Sequence, residues 1–125
     1  MRDLHDRIKV TTVFEALSAS TGGQCTAVDT AGYESCEFLI SGKAAAGVSA
    51  TVTVQEGATS SPTQTVAAAD LIGTTSQAAL TTTTADCKRI GYKGNYQYAA
   101  ITITATGGNQ TVIAVQSIAR HQPVT

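Results

Sequence analysis

The stretch YQYAAITITATGGNQTVIAVQSIARHQPV, residues 96–124, has the most regular pattern in the chain and decides the fold class that the sequence predicts. Apolar and polar residues alternate on both sides of Gly107 and Gly108, as in two β-strands joined by a turn. In the first strand Ile101 and Ile103 predict the core face. Neither face of the second strand is clearly polar, so that strand is predicted to be central in a sandwich or covered by a partner. We therefore predict a β-hairpin here.

Short alternating segments separated by Gly, Ser and Pro continue through the rest of the chain. They predict seven or eight strands, the first beginning at Ile8, and no helix longer than two turns. One helical turn is predicted at residues 68–72, and an extended segment at the four threonines of residues 81–84. The fold class is therefore all-β, a small antiparallel β-sandwich or a jelly-roll-like barrel. Predicted core residues are Cys36, Phe38 and Ile40 in one strand and Ala50, Val52 and Val54 in the next.

Charge is concentrated at the start of the chain. Arg2, Asp3, Arg7 and Lys9 lie within MRDLHDRIKV, whereas charged residues make up only 14% of the whole sequence, against about 25% in ordinary soluble domains. We predict an N-terminal arm at residues 1–9 and a single β domain at residues 10–125. Such an arm is either solvated or ordered by a neighbouring molecule, and the sequence permits both.

The composition restricts the partners. Eight basic and nine acidic residues give a net charge of −1, without the positive charge expected of a nucleic-acid-binding protein. No apolar run approaches the roughly 20 residues of a membrane span, and the start lacks the apolar region of a signal peptide. We expect a soluble protein that contacts neither nucleic acid nor membrane. Its neutral surface suits burial against another protein, or is simply a solvated Thr-rich sheet face.

The three cysteines do not form a regular set. Cys25, Cys36 and Cys87 are odd in number and include no CxxC pair, so a full disulfide framework is excluded. We expect three small buried side chains in a reducing compartment, although one disulfide with one spare thiol remains open.

The parts of an active site are missing from the local sequence. His5 and His121 lie at opposite ends of the chain, and the carboxylates are scattered singly. Glu56, among hydroxyl residues, lacks the further carboxylates of a calcium loop. The glycine-containing turns do not precede helices, so they are not phosphate-binding loops. We predict no enzyme activity, no cofactor and no metal.

Two sets of residues are candidates for partner contacts. Lys88, Arg89 and Lys93 form a small basic cluster that can pair with carboxylates on a partner. Beside it, the face with Tyr96, Tyr98 and Thr102 lies opposite the isoleucines and is a possible interface, which solvent exposure of these side chains tests. Tyr92, Tyr96 and Tyr98 are also comparable with a stacking platform for sugars or bases, although large side chains of a core or interface fit them better.

Five segments in order carry a resemblance that spans essentially the whole chain: MRDLHDRIKV, GYESCEFLISG, TVTVQEGATSSP, VAAADLIGT, and KRIGYKGNYQYAAITITATGG running to HQPV. With these segments the chain resembles the small head decoration, or cement, proteins encoded beside the major capsid protein of tailed bacteriophages. The resemblance implies a virion structural protein on the head exterior, made in the host cytoplasm. Its expected partners are the major capsid protein and further copies of itself, as a dimer or trimer. Expected contact residues are Arg2, Asp3, Arg7 and Lys9, and secondarily Lys88, Arg89 and Lys93.

A second hypothesis is a carbohydrate- or cell-binding β module of a phage tail or fibre. Its site would consist of Tyr92, Tyr96, Tyr98 and the loops near Glu56. An enzyme, the third class, would need a deep polar pocket that joins His5 or His121 to a carboxylate.

Overall fold

The computed structural model describes the backbone of residues 8–19, 23–31, 33–44, 49–81, 83–84, 86–106 and 111–121. Within these, side chains are described for residues 9–13, 23–31, 33, 35–44, 49–81, 83–84 and 86–104. The described strands are β1 (Ile8–Ala19), β2 (Gly23–Gln24), β3 (Val28–Asp29), β4 (Tyr33–Lys43), β5 (Ser49–Gly57), β6 (Gln64–Thr65), β7 (Leu71–Ile72), β8 (Asp86–Tyr92), β9 (Tyr98–Thr106) and β10 (Thr111–His121). A 3-10 turn spans Ala68–Asp70, and the helix α1 spans Thr75–Ala78.

The strands form two antiparallel sheets that pack as a sandwich. The first sheet has the order β1-β10-β4-β8-β7. In the second the order is β2-β9-β5-β6, and β3 also pairs with β9. In the described part of the chain the sheets do not close into a barrel, so the all-β prediction is confirmed as a sandwich.

Residues 96–124 contain two strands, as predicted, but the predicted hairpin is wrong. β9 pairs with β5, whereas β10 lies between β1 and β4 in the other sheet. The chain therefore passes from one sheet to the other between β9 and β10. Alternation indicates which residues share a face of a strand, but it does not indicate which strand supplies the hydrogen-bonding partner. Of the two alternatives predicted for the second strand, central in the sandwich or covered by a partner, the structure shows a central strand.

The core lies between the sheets and consists of small and medium-sized side chains. Phe38 and Ile101 are completely buried, and Ile103 is nearly so. The six predicted core residues are all buried: Cys36, Phe38, Ile40, Ala50, Val52 and Val54. Each fully buried Val, Ile or Phe side chain contributes roughly 1.5–3 kcal/mol to stability relative to an exposed one.

The first strand differs in detail from its prediction because it contains a bulge. The pairing of β1 with β10 shifts between Thr12 and Phe14, which leaves Val13 without an opposite residue. Val13, at the bulge, is buried, whereas Val10 is 52% exposed. β1 begins at Ile8, so residues 8 and 9 of the predicted arm belong to the strand, and residues 1–7 lie outside the described part.

The shorter segments agree only in part with their predictions. In residues 23–29, an alternating segment forms two short strands, β2 and β3, on either side of Cys25, whose amide donates to the Ile101 carbonyl. The helix α1 was not predicted; Thr74 caps it by accepting a hydrogen bond from the Gln77 amide at 3.2 Å. Of the four threonines expected to be extended, those that the structure describes lie outside its strands. The predicted helical turn near residue 68 is confirmed as a 3-10 turn.

The cysteines are all free thiols. Cys25 and Cys36 are buried, as predicted, but Cys87 is exposed on β8, which corrects the expectation of three buried side chains. None of the helices in the described residues has the length and apolar character needed to span a bilayer.

Candidate interaction surfaces

The topology brings a predicted contact residue, Lys9, and three tyrosines to one end of the sandwich. Lys9 lies near the start of β1, Tyr33 starts β4, Tyr92 ends β8 and Tyr98 starts β9. Because neighbouring strands run antiparallel, these starts and ends meet at the same edge of the two sheets. We call this region the tyrosine end and define it as residues 9, 29–31, 33 and 92–98.

Strand register shows this alignment. Across the first sheet, Lys9 pairs with Ala119, Ala119 with Cys36, and Cys36 with Tyr92. In the second sheet, Tyr98 pairs with both Asp29 and Gly57. Residues from opposite ends of the sequence therefore share one end of the molecule.

Residues 93–97, which we call the tyrosine loop, connect β8 to β9. Tyr96 is 40% exposed, and Lys93 and Asn95 are exposed beside it. On the outer side, the Thr30 amide donates to the Gln97 carbonyl at 2.7 Å, and the Thr30 hydroxyl lies 2.9 and 3.1 Å from the Gln97 and Tyr96 carbonyls. The loop is thus fixed while its aromatic side chain remains accessible.

Asp29 fixes the segment that carries Thr30. Its carboxylate accepts a hydrogen bond from the Ala31 amide at 2.9 Å, as in an Asx turn. It also accepts from the Gln97 side-chain amide, at 3.3 and 3.4 Å from its two oxygens. Asp29 therefore links both segments of the tyrosine end.

Beneath the loop lies a buried hydrogen-bonded pair. The Tyr92 hydroxyl donates to Glu56 Oε2 at 2.7 Å and accepts from the Tyr96 amide at 3.3 Å. Tyr92 is 2% exposed and Glu56 is 4% exposed. Burial first, and the Glu56 hydrogen bond second, raise the pKa of Tyr92 above its ordinary value, so the phenol stays protonated.

The loop passes very close to the Tyr92 ring. A Cβ atom on Gly94 would lie 2.5 Å from the Tyr92 hydroxyl oxygen, so only glycine fits there without displacement. The Lys93 amide donates to the Asp70 carbonyl at 2.9 Å, which holds the beginning of the loop.

A small cleft lies between β1 and residues 26–29. Its volume is about 180 Å³, and Lys9, Val13, Val28, Asp29 and Tyr33 are among the residues that line it. The Thr26 amide donates to the Val13 carbonyl at 3.1 Å, joining the two walls. Predicted contact residue Lys9 therefore lies on the same surface as Asp29.

The predicted basic cluster is divided. Lys93 is in the tyrosine loop, and within the described residues it makes no ion pair. Lys88 and Arg89 lie earlier on β8 and have carboxylate partners in the chain itself: Lys88 is 3.1 Å from Asp86, and Arg89 is 3.7 Å from Glu37. The hydrogen bond from Lys88, followed by that from the adjacent backbone amide, lowers the pKa of Asp86.

Lys88 and Arg89 line an open groove of about 470 Å³, which we call the β8 groove. Glu37, Gln77 and Cys87 also line it, together with Ile72, which is 56% exposed. The charges of this groove are neutralised within the chain, because each cation faces its own carboxylate.

The predicted face with Tyr96, Tyr98 and Thr102 is only partly accessible. Tyr98 and Thr102 are half-buried. The Thr102 hydroxyl donates to the Gln55 side-chain oxygen at 2.5 Å, and Gln24 donates to the same oxygen at 2.7 Å. The outer face of the second sheet is therefore a network of uncharged polar side chains, with Tyr96 projecting from the loop at its end.

The structure leaves only part of the site predicted for the sugar-binding alternative, Tyr92, Tyr96, Tyr98 and the loops near Glu56, open to solvent. Tyr92 and Glu56 are buried and bonded to each other, so only Tyr96 and part of Tyr98 reach solvent. The sequence contains the signal for this: Ile90 and Tyr92 are two residues apart on β8, and Glu56 follows Val54 by two on β5. Period-two spacing places both pairs on inward faces.

The remaining predicted site residues belong to parts of the chain that the structure does not describe. Arg2, Asp3, Arg7 and His5 lie outside the described residues, as does the side chain of His121. In the part of the chain that the structure describes, no group of three or more His, Cys, Asp or Glu residues could hold a metal ion.

No protein-family model matches the chain, and no curated protein matches it. The sequence resemblance and the surfaces described above are therefore the basis of the proposed function.

Proposed function

We propose that this chain is a virion structural protein that decorates the head of a tailed bacteriophage, binds the lattice of the major capsid protein and stabilises the shell. The observation that carries the proposal is the tyrosine end. It combines Lys9, Lys93 and Tyr96, and β1 begins there at Ile8, within the last two residues of the predicted arm. Contact groups that are distant in sequence are therefore available to one partner surface.

The geometry of the tyrosine loop supports binding to a protein surface. Tyrosine is enriched among the residues that dominate interface energies, and Tyr96 is exposed on a loop that Thr30 and Tyr92 already hold in place. A loop that is ordered before binding loses little entropy on binding. Lys93 is available to a carboxylate on the partner.

Repetition strengthens such contacts. If each copy buries roughly 800 Å² on its partner, as in interfaces of standard size, many copies on one shell connect neighbouring capsid subunits. We propose that copies contact each other on the lattice as dimers or trimers, on the head exterior, after synthesis in the host cytoplasm. Catalysis, a cofactor, nucleic acid and membrane have no part in this function.

Cryo-electron microscopy of the assembled particle tests the proposal. We expect density for this chain on the outer surface of the head, with Tyr96 at the contact with the major capsid protein. Density at the tail tip, or none on the head, would refute it. A major capsid gene beside the gene for this chain is the corresponding genetic expectation, whereas a tail-fibre or baseplate neighbour favours the tail.

A glycan array separates this function from the sugar-binding alternative. We expect no signal at high protein concentration. Binding to a glycan that the substitution Tyr96→Ala abolishes would replace the capsid proposal with a carbohydrate-binding one.

A further inference from the structure

Glu56 is a buried carboxylate whose position needs a physical explanation. It is 4% exposed and follows Val52 and Val54 on the inward face of β5. Within the described residues its side chain makes one hydrogen bond, to the Tyr92 hydroxyl. Removing a carboxylate from water costs several kcal/mol, and an apolar side chain of similar volume often gives equal or greater stability. Stability alone therefore does not explain Glu56.

Two consecutive hydrogen bonds, both at the Tyr92 hydroxyl, connect Glu56 to the backbone of the exposed residue Tyr96. Because the Tyr92 hydroxyl donates its proton to Glu56, its remaining lone pairs can accept from the Tyr96 amide, which lies at 3.3 Å. The Tyr92 backbone is held on both sides, by Cys36 on β4 and by Leu71 on β7. Glu56 thereby determines where the hydroxyl points, and the hydroxyl determines the position of the Tyr96 amide.

The loop has different attachments on its two sides. Thr30 binds the carbonyls of Tyr96 and Gln97 from outside, and Tyr92 binds the Tyr96 amide from the core. Gly94 lies against the Tyr92 ring, so the ring and its hydroxyl form the floor of the loop. Without the core attachment, the outer carbonyl bonds remain but the floor no longer holds the amide.

We propose that Glu56 and Tyr92 are positioning residues that hold the tyrosine loop in its binding conformation. Partner binding then depends on two side chains that the partner does not touch. The dependence on binding rests on the proposed function, whereas the effect on the loop is a property of the isolated protein. The partner is the one proposed above, a capsid surface that receives Tyr96.

Three substitutions in the full-length protein separate positioning from general stability. Tyr92→Phe removes only the hydroxyl group. Glu56→Gln retains an oxygen that accepts the Tyr92 hydrogen bond, and Glu56→Leu removes it. As a control, Tyr98→Phe removes the hydroxyl of a half-buried tyrosine whose side chain makes no hydrogen bond within the described residues.

The first measurement is amide hydrogen exchange at Tyr96, well below the melting temperature and with folding checked by circular dichroism. Loss of one hydrogen bond of about 1 kcal/mol corresponds to an increase of about fivefold in exchange. We expect this increase in Tyr92→Phe and Glu56→Leu, and exchange within about twofold of wild type in Glu56→Gln and Tyr98→Phe. Wild-type exchange in Tyr92→Phe would overturn the proposal, and that variant decides the matter if Glu56→Leu does not fold.

The second measurement is binding to empty shells assembled from the major capsid protein. We expect Tyr92→Phe to bind at least about fivefold more weakly and Glu56→Gln to bind like wild type. Faster Tyr96 exchange with unchanged shell binding would overturn the proposed dependence. Absence of binding by the wild-type protein would refute the proposed function, and the exchange experiment would still decide whether Glu56 and Tyr92 hold the loop.

Discussion

The tyrosine end and the β8 groove both expose cations and an apolar side chain, but their charges differ in availability. Lys93 has no carboxylate partner in the described part of the chain, whereas Lys88 and Arg89 each face one within 4 Å. A partner that binds a paired cation must compete with the existing ion pair, which reduces its gain. Lys93 is therefore expected to contribute more to partner binding than Lys88 or Arg89, although all three are close in sequence.

The two regions differ also in how they are held. The tyrosine loop is attached to Thr30 and Asp29 on one side and to Tyr92 on the other. The β8 groove is open, and its exposed Ile72 belongs to a strand of only two residues. The tyrosine loop is therefore better suited to binding than the β8 groove. Its conformational entropy is already lost when the protein folds, so little more is lost when a partner binds.

Thiol chemistry should show the largest difference. Burial raises the pKa of Cys25 and Cys36 to about 12, whereas Cys87 is exposed in the β8 groove. At pH 8 an alkylating reagent should modify Cys87 in the native protein, and the two buried thiols at least about 1,000-fold more slowly. Mass spectrometry should count one modified residue before unfolding and three after it. Rapid labelling of native Cys87→Ser would contradict the burial of the other two thiols.

Binding should depend on Tyr96 more than on any exposed apolar residue of the β8 groove. Tyr96→Ala should weaken binding to capsid shells at least about tenfold, the effect of a central interface tyrosine. Its melting temperature should change little, because the side chain is 40% exposed. Ile72→Ala is the matched control, since Ile72 is 56% exposed, and should leave binding within about twofold. Equal losses in the two variants would remove the distinction between the regions.

Alkaline pH should destabilise the row of residues beneath the tyrosine end. Cys36, which pairs with Tyr92 on β8, has a pKa raised from 9.0 to about 12, so the folded state retains a proton that the unfolded state releases. Its stabilising contribution is complete below pH 9 and is lost as the pH rises towards 12, at up to about 1.4 kcal/mol per pH unit. Between pH 8 and 11 the free energy of unfolding, measured with urea, should therefore decrease less steeply for Cys36→Ala than for wild type. Parallel curves would show that this thiol ionises equally in both states.

The outer attachment of the tyrosine loop should contribute about 1 kcal/mol to stability. Thr30→Val preserves the shape but removes the hydroxyl that contacts the Tyr96 and Gln97 carbonyls. Thr51→Val is its control on the second sheet, where the hydroxyl lies 3.4 Å from the Thr104 carbonyl, near the limit for a hydrogen bond. In urea unfolding, Thr30→Val should lose more of the free energy of unfolding than Thr51→Val. A larger loss in Thr51→Val would contradict a stabilising role of the Thr30 hydroxyl.

The smallest effect should come from the β8 groove. Arg89→Gln should change the free energy of unfolding by less than about 0.5 kcal/mol, because Arg89 is 78% exposed and 3.7 Å from Glu37. Shell binding should also remain within about twofold, whereas Lys93→Gln should weaken it about threefold at low salt and less at high salt. If Arg89→Gln weakened binding more than Lys93→Gln, the β8 groove would be the contact surface instead.

Local alternation predicted the faces of the strands correctly where a strand is regular. Phe38 and Ile40, Val52 and Val54, and Ile101 are buried as their spacing indicates. The same spacing places Glu56 and Tyr92 inward, although their charge and size had suggested a surface site. In β1 the regular pairing is interrupted, because the bulge leaves Val13 without an opposite residue on β10.

By itself the sequence determined the fold class, most of the buried faces and the small number of charges, because side-chain alternation and composition are local properties. Only the tertiary structure decided that β9 and β10 belong to different sheets, that Lys93 is separated from Lys88 and Arg89, and that Lys9 lies at the same end as Tyr96. Which strands become neighbours depends on the burial gained when two whole sheets stack, and no single segment contains that information.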